Sequence, residues 1–153
     1  MVAVDEIKWS TSDSGVIADA PSGLVIRKGT IAATIASVAE IDAHLHLSPS
    51  PSRSAAIRKT MDDITPLLPT LHATLFGLFH AADWLRSDAS EGRALVGAMA
   101  VRAFPDMRSE AVDEMLREWG RRARAEEFKV VVEEALQGCN SGIQGAFKIN
   151  GGW

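Results

Sequence analysis

A chain of 153 residues with 46% apolar and 24% charged side chains has the balance of a globular domain, and it is long enough to fold without a disulfide or a structural metal. The net charge of −4 argues against a sequence-independent grip on nucleic acid, which needs a strong basic excess, and gives no pull toward an anionic membrane. The lone Cys139 excludes an intrachain disulfide and fits a reducing, cytoplasmic setting.

The opening MVAVDEIKW lacks the basic-then-apolar order of a secretory signal. Val2–Trp9, Gly15–Ala18 and Leu24–Arg27 lean toward β structure, with Ser-Asp-Ser-Gly and Ala-Pro-Ser-Gly as turns between them. From Thr30, a candidate N-cap, the period becomes helical. Ile31, Ile35, Val38, Ile41 and Leu45 fall on one face, and the helix should stop before Ser48-Pro49-Ser50-Pro51. A second helix is predicted over Ser52–Ile64. Pro69 suits the first turn of a third, running to about Arg86. The uncharged run Ile64–Ala82 approaches membrane-spanning length, but Pro66, Pro69, threonines and histidines make it a poor span.

Residues 87–90 form a loop whose Ser90 can cap a fourth helix, Glu91–Phe104. After Pro105 a fifth is predicted from Asp106 to Leu136, closed by Gly138. Gly120 could kink it, because the stripe Val112, Met115, Leu116, Trp119 and Ala123 loses phase near Glu126. The glycine-rich tail could add a strand at Ala146–Asn150. The fold expected is mainly α: a single domain holding a bundle of about five helices, with a small β element from the N-terminal segment and possibly the C-terminal tail. Residues 1–28 form the β-leaning segment, 29–137 the bundle and 138–153 the tail.

The third predicted helix is apolar nearly all round, which marks a central helix. Leu67, Leu71, Leu75, Leu78, Ala82 and Leu85 make its main stripe, with Trp84 and Phe76 toward the other side. His80 and Asp83 are neighbours at i, i+3, whereas His72 and Asp83 stand about 16 Å apart along the axis. In the first helix Asp42 and His46 share i, i+4 spacing beside the apolar face. If these two helices touch, Asp42, His46, His80 and Asp83 make a two-His, two-carboxylate set for a divalent metal such as zinc, iron or manganese. The competing reading is two local pairs that satisfy half-buried imidazoles.

Little else resembles chemistry. Cys139 follows a helix end, whose negative pole disfavours a thiolate. Arg117, Arg121 and Arg124 share one side of a helix and could meet phosphate or an acidic partner. Asp113 and Glu118, each four residues ahead of Arg117 and Arg122, fit a salt-bridged surface instead. Phosphate-cradling and nucleophile-elbow motifs are absent. Trp9, Phe147 and Trp153 are aromatics with little local core, so they need a surface to pack on. The sequence therefore reads as a non-enzymatic bacterial or phage protein, without a cofactor, that acts through a protein partner or self-association. The alternative is a metal-dependent enzyme or sensor.

Overall fold

Serine and proline set most of the helix boundaries. The computed structural model describes residues 16–17, 26–27, 29–74 and 80–138, with the backbone alone at 16–17, 26–27 and 73–74. Helix α1 (Gly29–Leu45) ends ahead of Pro49. Helix α2 (Pro51–Ile64) opens on Ser50, whose hydroxyl accepts from the Arg53 amide while Pro51 fills the first helical position. A 3-10 turn, Thr65–Leu67, leads into α3 (Leu68–Thr74), and α4 (Ala81–Trp84) follows His80. Ser90 caps α5 (Glu91–Ala103) through the Arg93 amide, and Ser109 caps α6 (Glu110–Arg122) through the Val112 amide. Helix α7 (Glu126–Gln137) ends at Gly138, whose φ of +63° lies in the left-handed region that glycine enters without a steric penalty. The protein is mainly helical. Strands β1 (Val16–Ile17) and β2 (Ile26–Arg27) pair antiparallel over two residues, Val16 opposite Arg27. The expected strand at Ala146–Asn150 lies outside the described residues. Among the described residues no helix is long and apolar enough to cross a membrane.

The central helix is α5, not the 70–86 stretch. Every residue from Ala94 to Val101 is buried, and α1, α3, α4 and α7 all pack on it. Small side chains make this possible. A Cβ at Gly97 would sit 2.9 Å from the Trp84 Cβ, and one at Gly92 would sit 2.7 Å from the Val38 carbonyl oxygen. The core beneath is built from Phe128, Ile41, Ile57, Ile64, Leu71, Leu85, Leu95, Met99 and Leu116, all 0–1% exposed.

Two expected helices are broken. The third does not run from Pro69 to Arg86: His80 is extended, with ψ of 127°, and starts the separate α4. The break lets Trp84 and Leu85 close against Gly97 of α5. The fifth does not run from Asp106 to Leu136. It is preceded by the 3-10 turn Pro105–Met107 and interrupted at Ala123–Ala125, where Ala123 and Ala125 are extended. Gly120 stays helical and faces the Val132 side chain. The cause is a distant carboxylate. Glu91, whose side chain is 8% exposed, accepts from the Arg124 amide at 2.6 Å, the Ala125 amide at 3.1 Å and the Arg124 Nε at 3.0 Å. It satisfies amides that a continuous helix would have bonded internally, so α7 can fold back along α6.

A second polar tie closes the α1–α2 corner. Arg53, buried, sends its Nη1 to the Leu47 carbonyl at 2.9 Å, just past the end of α1. A guanidinium there complements the negative helix end and satisfies a carbonyl that no helical amide reaches.

Candidate interaction surface

Of the four residues considered as metal ligands, one has a side-chain partner among the described residues. Asp42 is half-buried and its Oδ1 accepts the Gly92 amide at 2.7 Å, closing an open donor in the first turn of α5. His46 is exposed beyond the end of α1. His80 and Asp83 are exposed at the start of α4. Among the described residues, no three His, Cys, Asp or Glu side chains gather where they could hold a metal ion. The remaining histidines sit in local contacts. His44 Nε2 lies 3.7 Å from Glu40, and His72 Nε2 lies 3.0 Å from Asp106 with its ring stacked on Phe104 at 4.1 Å. Cys139, Trp9, Phe147 and Trp153 lie outside the described residues.

The arginine face is ion-paired, but not in the expected register. Arg117 meets Glu114 at 3.3 Å, and Arg121 meets Glu118 at 2.7 Å, both at i, i+3. Arg124 is taken by Glu91. Arg122 donates to the Ser87 carbonyl and lies 4.0 Å over the Trp119 ring. Asp113, expected opposite Arg117, instead takes a two-point bond from Arg108 at 2.8 and 3.0 Å. Arg108 comes from the loop ahead of α6, and both arms of its fork reach the carboxylate, one to each oxygen.

That pair carries a pH signature. Hydrogen bonding to Arg108, helped by the Arg108 and Arg117 charges and opposed by burial, holds the Asp113 carboxyl below its ordinary value. A lowered folded value means that stability from the pair is complete above the ordinary carboxylate value and is lost as pH falls below it through the lowered folded value. Asp113→Asn is therefore expected to lower stability at neutral pH and to flatten the acid limb below about pH 4. Urea unfolding of both proteins across that limb checks it; parallel limbs would exclude the pair as a source of acid sensitivity.

Among the described residues the large apolar side chains most exposed are Ile35 on α1, Leu47 just past it and Val130 on α7. The sequence puts Ile31, Ile35, Val38, Ile41 and Leu45 on one buried face, yet Ile35 is 63% exposed while Ile41 and Leu45 are buried. Val38 and Asp42 meet α5 at Gly92, and one turn earlier Ile35 borders only a groove of about 240 Å³, shared with Val38, Trp84 and Arg93. Arg93 stands 5.4 Å over the Trp84 ring, and among the described residues it makes no ion pair. Next to the groove, Ala32, Ala36, Ala39 and Ala43 are exposed. With Ile35 they cover an arc of about 100° without a charge. A second depression of about 220 Å³ lies between Leu85, Ser87, Glu114, Met115, Glu118 and Trp119. One signal for the groove is legible in the sequence: Trp84 falls off the main stripe of its predicted helix. Arg93 gave none, because only the fold brings it beside α1. Compared with protein-family models, curated proteins and solved structures, the chain matches none.

Proposed function

We propose that this chain is a non-enzymatic helical protein that works through protein contacts, as an assembly subunit, regulator or inhibitor, and that it self-associates. The observation that carries the reading is the outward face of α1. Ala32, Ile35, Ala36, Ala39 and Ala43 leave a smooth uncharged strip in water, whereas the outward faces of α2 and α6 carry several charges among the described residues. Alanine at these positions permits close approach of a second helix, and burial of the strip would supply the driving force. Trp9, Phe147 and Trp153 extend the same reading to the two ends of the chain.

Native mass spectrometry of the full chain tests this, since it weighs subunits and bound metal together. The expected result is a metal-free oligomer that Ala36→Glu with Ala39→Glu converts to monomer, with unchanged circular dichroism. A parent protein that is monomeric at high micromolar concentration, or an oligomer indifferent to both substitutions, would overturn self-association through this face. A stoichiometric metal adduct would replace the reading with a metal-dependent one.

A further inference from the structure

We propose that the turn between α6 and α7 is a hinge latched by Glu91, and that its release lets two copies of the chain exchange α7. The bend has no local cause. Residues 121–137 contain neither proline nor glycine, and Ala123, Arg124, Ala125, Glu126 and Glu127 are all strong helix formers. Yet Ala123 and Ala125 are extended, with ψ of 135° and 129°. Alanine is a poor N-cap, and Ala125 gives α7 no side-chain cap. The bend is held from outside: the Glu91 carboxylate accepts the Arg124 and Ala125 amides and the Arg124 Nε. Glu91 opens α5, so the latch and the hinge sit on different elements.

Without the latch the local preference is one straight helix. The amides of residues 124–127 would then bond the carbonyls of residues 120–123. Within a single chain this straightening is blocked. It would strip Phe128, Val131, Val132 and Ala135 of α7 from the core and uncover the side of α5 on which they pack. A second copy removes the block. Its α7 fits the vacated place, because the surfaces that meet are the same ones, and the added cost is that of bringing two chains together. A short hinge whose bent form is held from outside is the kind that invites such an exchange. The exchange requires no contact through α1, so it stands or falls apart from association through the alanine strip.

Spin labels on Glu110→Cys and Gln137→Cys, in the full chain with Cys139→Ser, read the hinge directly. In the bent form these ends are close. A Cβ at Gly138 would lie 3.4 Å from the Arg108 Nη1, which puts the two labelled backbones within about 25 Å. One straight helix sets them about 40 Å apart. Labelled chain diluted into unlabelled chain reports the distance within one chain, and light scattering gives the mass. Glu91→Ala, refolded from urea at high micromolar concentration, is expected to raise the dimeric fraction with the long distance about tenfold over the parent. Adding Glu126→Pro should return it to a monomer with the short distance. Proline suits the first position of α7 and the extended Ala125 before it, but it breaks a continuous helix. A Glu91→Ala protein that stays monomeric, or a dimer that keeps the short distance, would overturn the exchange. So would a long distance that Glu126→Pro leaves unchanged. Should Glu91→Ala fail to fold, Glu91→Gln, which keeps one accepting oxygen, is read in the same way. Loss of fold in both, with no long distance, would make Glu91 a structural tie alone and overturn the hinge.

Discussion

Gly92→Ala is expected to destabilise the protein by about 2–4 kcal/mol, although alanine is the better helix former. The new Cβ would lie 2.7 Å from the Val38 carbonyl oxygen and 2.8 Å from the Asp42 Oδ1. Neither atom is the far end of a long side chain that can swing away. Pushing α1 outward costs packing, and displacing Asp42 leaves a buried Gly92 amide without its acceptor, a loss of about 1–3 kcal/mol. The helix-propensity gain of about 0.5–1 kcal/mol works in the opposite direction and is smaller. For a chain of this length the midpoint of thermal unfolding should fall by several degrees. Gly29→Ala is the control, because nothing lies within 4 Å of a Cβ there; it should be neutral. Equal stability of Gly92→Ala and the parent would mean that α1 and α5 do not approach as closely as described.

Trp119→Ala should cost more, about 3–5 kcal/mol. Trp119 is 3% exposed and joins three helices. Its Nε1–H donates to the Leu85 carbonyl at 2.8 Å, its ring lies 5.5 Å from that of Phe128 on α7, and Arg122 covers another part of it. Truncation removes a large apolar volume and leaves a buried carbonyl unpaired. Trp119→Phe separates the two effects. It keeps most of the ring but loses the donor, so about 1–2 kcal/mol should be lost. Equilibrium urea unfolding, with the slope m unchanged, checks both. If the two variants lost equal stability, the hydrogen bond to Leu85 would outweigh ring packing.

The starts of α2 and α5 were legible because their causes are local, whereas α6 was expected to begin at Asp106 and its Ser109 cap was missed. Ser50, Ser90 and Ser109 each accept the amide three residues on. The helix ends at Leu45, Ile64 and Gly138 were legible from proline and glycine nearby, but the interruptions were not, because their causes are distant. Nothing near Ala123–Ala125 in sequence announces that Glu91 will take two amides there. The identity of the central helix was hidden for a related reason. Ranking segments by large apolar residues favours LHATLFGLF over GRALVGAMAVRA, yet alanine and glycine let α5 be approached from every side. The arginine cluster was found by composition, but its partners were misassigned by one position, since i, i+3 carboxylates lay closer than the i, i+4 ones and the loop arginine Arg108 took Asp113. Ile35 was read as core because its spacing fits the stripe. Spacing names the face of a helix but not how far the neighbouring helix extends along it.

The start of α5 depends on chain that is far away in sequence. Its Gly92 amide is answered by Asp42, 50 residues earlier, and its first residue, Glu91, holds a turn 33 residues later. Neither end of these ties is complete until the other has arrived. Peeling α1 away would strand an amide at the head of the central helix, and detaching the α6–α7 turn would strand a carboxylate and two amides. Partial opening of either region is therefore costly, and the described helices should melt as one cooperative unit rather than in succession.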